Sequence, residues 1–120
     1  MSGLIKQTIA AAVVAAGCCV SLTAGAVAQE CGVATWYSLP GHFTANGERM
    51  TKTGLTAAHK HLPFGSTVRV VDQKSGKSTT VRITDRGPFG KGRIIDLSWA
   101  AAKQLGIIRS GITNVCISRV

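Results

Sequence analysis

Aromatic residues are few in this sequence, two Trp, one Tyr and three Phe, and only five acidic residues stand against 14 Lys and Arg. So few rings leave no stacking-aromatic pattern for nucleic acid, and neither a helix-turn-helix nor a zinc-finger spacing occurs. A G-x-S-x-G elbow is missing, and the serines outside the N-terminal segment fall in turns or caps, which removes the usual serine nucleophile. Gly87, Gly90 and Gly92 do not follow the spacings of nucleotide-binding loops. The apolar run Ile9 to Val20 is short of the roughly 20 residues that cross a bilayer, so no stable membrane insertion is expected. His59-Lys60-His61 would set two imidazoles on one face of a strand, but lacks a third ligand and a Cys partner. Neither a metal nor a cofactor is expected. Internal repeats and low-complexity segments are also absent.

What is present starts with an export signal. Residues 1–28 combine Lys6, the apolar run and Ala26-Val27-Ala28, a small-x-small site that places Gln29 at the new N-terminus. A rival route is a lipoprotein box, Ala15-Ala16-Gly17-Cys18, which would anchor the protein through a lipidated Cys18; its first residue is Ala rather than Leu, and the periplasmic or secreted product is favoured. Residues 29–120 then form one small domain. It retains Cys31 and Cys116 near its two ends, and an even cysteine pair in an exported domain reads as a disulfide. All five acidic residues and all basic ones except Lys6 lie in this part. Such a basic surplus suits a polyanion, and export makes peptidoglycan, with its muramic and stem-peptide carboxylates, a better partner than nucleic acid. A monomer is the default.

The mature part reads as mainly β. Gly32 to Tyr37 alternates as a strand, and His42 to Met50 forms a loop around the turn dipeptide Asn46-Gly47. Thr53 to His61 fits a short helix or a strand equally. Thr67–Val71 and Ser78–Ile83 form a hairpin across the polar turn 72–77. Ile94–Leu97 is a further strand. Ser98 caps a helix over Trp99–Leu105, with Gly106 as its stop. Ile107–Gly111 starts a second helix or a turn, and Ile112–Val120 closes the chain as a strand carrying Cys116. Many short strands with one or two short helices predict a small closed barrel, in which chain ends can be neighbours.

The chemistry rests on carboxyls. Ile83 to Trp99, I-T-D-R-G-P-F-G-K-G-R-I-I-D-L-S-W, sets Asp85 and Asp96 at strand ends around a loop rich in Gly and basic residues. Asp85 could equally cap the turn into Gly87-Pro88. Glu48 lies in a polar loop, while Glu30 and Asp72 read as solvated surface groups. Carboxyls gathered in a groove suit cleavage of a sugar bond, because one must protonate the leaving oxygen. Burial beside Trp36, Tyr37 and Phe89 would raise such a pKa, although Trp36 and Phe89 are as readily core residues as sugar platforms.

Five segments in order, G-V-A-T-W-Y-S (32–38), T-A-N-G-E (44–48), L-T-A-A-H-K (55–60), L-P-F-G-S-T-V-R-V (62–70) and I-T-D-R-G-P-F-G-K-G-R-I-I-D-L-S (83–98), closely resemble the rare lipoprotein A family. The resemblance spans nearly all of residues 29–120. It implies a six-stranded double-psi β-barrel, shared with expansins and barwin-like proteins, and a lytic transglycosylase of peptidoglycan that prefers peptide-poor glycan strands. It also implies activity-linked positions at Glu48, His59 and Asp85, and a sugar-groove aspartate at Asp96. The sequence departs from the family pattern in three places: L-P-G-H-F before Thr44 lacks a frequent basic residue, the two-cysteine bracket is not general, and the C-terminal glycan-binding domain of many members does not follow Val120, which leaves septal recruitment open.

On this reading Asp85 is the acid/base and Glu48 assists it or stabilises positive charge. His59 orients or tunes one of them. Asp96 binds sugar hydroxyls or shares the acid role, and Trp36, Tyr37, Arg86 and Phe89 contact the substrate. The expected product is a 1,6-anhydromuramyl end from the MurNAc–GlcNAc bond. The alternative is a non-catalytic, expansin-like module that binds wall polysaccharide without cutting it, and a third reading is a secreted effector or inhibitor.

Overall fold

The computed structural model describes residues 28–120; the expected signal over residues 1–28, and Cys18 with it, lies outside the described residues apart from Ala28. Six strands and one helix follow in order: β1 (Gln29–Trp36), β2 (Thr56–Ala58), β3 (Thr67–Asp72), β4 (Ser78–Asp85), β5 (Arg93–Leu97), α1 (Trp99–Leu105) and β6 (Ile112–Arg119). They close into a barrel in the order β1-β5-β2-β4-β3-β6. The pairs β1/β5 and β2/β4 are parallel and the other pairings antiparallel. The result is a double-psi β-barrel. Closure removes the exposed edges that a six-stranded open sheet would present.

Period-two patterning drives this arrangement. In β3, Val68 and Val70 are buried while Thr67 and Arg69 face solvent; in β4, Val81 and Ile83 are buried against exposed Thr80 and Arg82. Together with Ala34, Ala57, Ile95, Leu97, Val115 and Ile117 they fill the barrel. Each fully buried Val, Leu or Ile contributes about 1.5–3 kcal/mol relative to leaving it exposed. Ala101, Ala102 and Leu105 of α1 complete this core. The helix begins where Ser98 accepts from the Ala101 amide and ends at Gly106, whose left-handed φ of 74° closes the last turn.

The hairpin forms in the expected register, Thr67 opposite Arg82 and Val71 opposite Ser78. The ambiguous Thr53–His61 segment resolves as a strand of three residues, since β4 and β5 flank it and supply its pairing. Residues 108–110 are turn, so α1 is the one helix among the described residues. Cys31 faces Cys116 across β1 and β6 and is disulfide-bonded to it, Cα to Cα 4.0 Å, joining the first strand to the last. Such a bond belongs to an oxidising compartment.

Two carboxylates differ from the sequence reading. Asp72 is buried, and accepts from Thr113 Oγ1 at 2.8 Å, Ser75 Oγ at 2.8 Å and the Lys74 amide at 3.1 Å, fastening the β3–β4 turn to β6. Burial alone would raise its pKa, but the hydrogen bonds outweigh that and hold it below the usual aspartate value. Glu30 is partly exposed but not free: it accepts from Nε2 of the buried His59 at 2.9 Å.

Candidate active site

The barrel's register gathers the two aspartates. Asp96 of β5 pairs with Thr35 on one side and Ala58 on the other, and a bulge after Ala57 puts Ala58 opposite Asp85. Thr35, Asp96, Ala58 and Asp85 therefore form one row across four neighbouring strands. Both carboxyls are partly buried.

Asp85 is held on both oxygens. Oδ1 accepts from the amides of Ala45 and Arg86, each at 2.9 Å, and Oδ2 accepts from the Tyr37 hydroxyl at 2.9 Å. The amide of Ala45 arrives there because residues 43–49 fold into a small hairpin. Phe43 bridges Arg49, the Thr44 amide bonds the Glu48 carbonyl, and Gly47 takes the turn at φ 90°. The Asn46 amide then fastens this hairpin to the Thr84 carbonyl of β4. Tyr37 arrives by extending β1, its amide bonding the Leu97 carbonyl at 2.9 Å. Burial, the hydrogen bond to Asp85 and the charges of Asp85 and Asp96 all push the Tyr37 phenol upward, so it stays protonated and donates.

Asp96 is less well supplied. Its one side-chain partner is Thr35 Oγ1 at 2.9 Å. Burial raises its pKa above the ordinary aspartate value, and the charge of Asp85 adds to that. The Thr35 hydroxyl and the charge of Arg93 oppose the rise without cancelling it. The surroundings of Asp96 thus favour its neutral form.

The remaining expected residues take other positions. Glu48 accepts from Arg82 through both oxygens, at 2.5 and 2.8 Å, and from Asn46 Nδ2 at 2.8 Å. The Arg82 hydrogen bonds, then Asn46, lower its pKa to about 2. It is partly exposed and its oxygens are engaged away from Asp85. His59 is fully buried; Nε2 faces Glu30, while Nδ1 accepts from the His61 and Leu62 amides at 3.2 and 3.1 Å. Neither ring nitrogen is available to Asp85 or Glu48. Arg86 Nη1 is bonded to the carbonyls of His59 and Leu62, at 3.2 and 2.9 Å, and its guanidinium stacks 4.0 Å from the Phe64 ring centre. Trp36 is half-buried against the core, whereas Phe89 is 80% exposed on the loop after Asp85.

Thr35, Arg82, Phe64 and the backbone of Ala45 were not singled out in the sequence. Thr35 was readable as the residue preceding Trp36-Tyr37 on a strand. The others carry no local signal.

The site is thus a double-psi barrel that carries two aspartates in one row, on strands separated by β2. The chain belongs to the lytic transglycolase family, whose model matches residues 29–117. An endolytic peptidoglycan transglycosylase RlpA of Vibrio cholerae is 52% identical over 90 residues, covering 73% of this chain and 34% of that protein. The endolytic peptidoglycan transglycosylase RlpA of Pseudomonas aeruginosa is 50% identical over 91 residues, covering 74% of this chain and 27% of that protein. The chain thus matches about a third or less of the length of these curated relatives. Among solved structures, an apo expansin of Clavibacter michiganensis superposes with a TM-score of 0.63 at 24% identity, over 78% of this chain and 50% of that one. That likeness concerns the fold.

Proposed function

We propose that this domain is an exported lytic transglycosylase that cleaves the MurNAc–GlcNAc bond of peptidoglycan and leaves a 1,6-anhydromuramyl end. Family membership supports the reaction class, and one observation carries the assignment of roles: Asp96 is half-buried with its pKa raised, beside an Asp85 that accepts three hydrogen bonds. In this reading the neutral form of Asp96, which burial favours, gives its proton to the glycosidic oxygen as the C1–O bond breaks. The 6-hydroxyl of the same muramic residue attacks C1, and Asp85 takes the hydroxyl proton. The pair then holds one proton again, which returns to Asp96 through solvent. No water is consumed and no cofactor enters. These roles differ in part from the resemblance alone, which would place the acid/base on Asp85 and leave Asp96 to bind or share.

Glu48 serves this site through the hairpin that brings the Ala45 amide to Asp85. In this reading Phe89, exposed on the loop after Asp85, and Trp36 and Tyr37 at the end of β1 would meet sugar rings. The substrate is the glycan strand, the protein acts as a monomer, and residues 1–28 direct it out of the cytoplasm, with anchoring through Cys18 as the alternative. The test is digestion of intact and amidase-stripped sacculi by the purified protein, with mass spectrometry of the soluble products. Anhydromuramyl ends that disappear in Asp85→Asn are expected. Retention on sacculi without anhydro or reducing ends would refute the enzyme and favour a binding module.

A further inference from the structure

We infer that His59 and Glu30 are positioning residues for Asp85, and that the His59 imidazole transfers no proton. This rests on the transglycosylase reading for its catalytic consequence, but the geometry stands by itself. Nδ1 of His59 accepts two backbone amides, from His61 and Leu62, so it carries no hydrogen. The hydrogen therefore sits on Nε2, which donates to Glu30. The ring is buried with both nitrogens engaged, leaving none to meet a substrate. What it does instead is shape the turn 59–62. That turn points the His59 and Leu62 carbonyls at Arg86, and the His59 amide bonds the Asp85 carbonyl at 3.2 Å. Arg86 in turn donates its own amide to Asp85 Oδ1.

A path of fixed contacts thus runs from Glu30 on β1, through His59 and its turn, to both the backbone and the carboxyl of Asp85. Glu30 selects the tautomer; the tautomer makes the turn; the turn seats Arg86. The path uses Glu30 as a hydrogen-bond acceptor, a role its neutral amide analogue also fills.

Asparagine distinguishes positioning from proton transfer, because its Oδ1 lies near the place of Nδ1 and can accept the same two amides, yet it cannot act as an acid or base. The experiment compares His59→Asn with His59→Ala in the exported full-length protein, by product formation across pH and by amide hydrogen exchange at Ala45 and Arg86. Misplacement of a catalytic group by about 1 Å costs on the order of 100-fold, so His59→Ala is expected to lower kcat by about 10–100-fold with KM little changed. It should also speed exchange of those two amides about tenfold or more, as local opening does. His59→Asn should restore most of both, with the limbs of the pH–rate profile in place. Should His59→Ala not fold, Glu30→Ala against Glu30→Gln makes the same comparison, the amide variant behaving as the parent. An Asn variant as inactive as the Ala variant, with both amides still protected, would overturn the proposal, as would an Ala variant that changes neither rate nor exchange. If the parent protein yields no anhydro ends, the transglycosylase reading fails, and the exchange comparison alone decides the positioning.

Discussion

Replacing Tyr37 by Phe deletes one atom and isolates one contact, the 2.9 Å hydrogen bond to Asp85 Oδ2. The ring is expected to stay, because the Tyr37 amide remains bonded to Leu97 and the residue continues β1. Asp85 keeps its two amide donors on Oδ1 but loses the donor that fixes the rotation of its carboxyl. A hydrogen bond to a charged group contributes roughly 1.5–3 kcal/mol. Tyr37 and Asp85 are only partly buried, so water can replace the hydroxyl in part, and the lower end, about 1.5–2 kcal/mol, applies. Each 1.36 kcal/mol is tenfold in rate, so kcat should fall about 10–30-fold. Steady-state formation of anhydromuramyl product measures it, with retention on sacculi as the binding control. A kcat within about twofold of the parent would refute the role given to Asp85, since its orientation would then not limit the reaction. A rise in KM at constant kcat would instead make Tyr37 a sugar contact and nothing more.

Two further outcomes follow from named groups. Because folding raises the Asp96 pKa, its stabilising contribution is fully present below the ordinary value of 3.8 and is lost as pH rises through the native value. Asp96→Asn should therefore abolish product while making the fold slightly more stable at pH 7, by less than about 1 kcal/mol given its partial exposure, the gain vanishing towards pH 3; urea unfolding at the two pH values checks the sign, and a gain that grows on acidification would refute it. Replacing Cys31 and Cys116 together by Ala opens a link between residues 85 apart, for which chain entropy gives a loss of about 4–5 kcal/mol as a ceiling. An unchanged urea midpoint would show that the strand pairing alone closes the barrel.

Local signals and long-range ones divided cleanly along this chain. Alternation in Thr67–Val71 and Ser78–Ile83 and the capping signals at Ser98 and Gly106 are readable because each is a property of adjacent residues. The disulfide was readable from cysteine number and compartment. L-T-A-A-H-K was ambiguous because three residues of strand carry no period of their own; their pairing partners lie 26 or more positions away. Glu30 and Asp72 looked solvated for the same reason. Asp72 is buried by a hydroxyl 41 residues downstream, and Glu30 meets a histidine 29 residues downstream. The candidate site was legible as a set of residues, through the motif resemblance, but not as a division of labour. Tyr37 to Asp85, Thr35 to Asp96 and Arg82 to Glu48 span 48, 61 and 34 residues, and only the barrel's register joins them.

That register also explains how three separated motifs meet at Asp85. T-A-N-G-E supplies the Ala45 amide, and its Glu48, tied to Arg82 and Asn46, holds the hairpin that delivers it. A-A-H-K supplies the turn that seats Arg86. D-R-G-P supplies Asp85 and the Arg86 amide beside it. All three end on one carboxyl, while Asp96, on the far side of β2, has the Thr35 hydroxyl as its one side-chain partner. Three fixed donors converge on the Asp85 carboxyl, whereas half-buried Asp96 has one. Asymmetry of that kind costs some stability, through the half-buried Asp96, and leaves Asp96 the carboxyl whose surroundings favour the neutral form. On the proposed function, that asymmetry is what would let Asp96 give a proton and Asp85 take one.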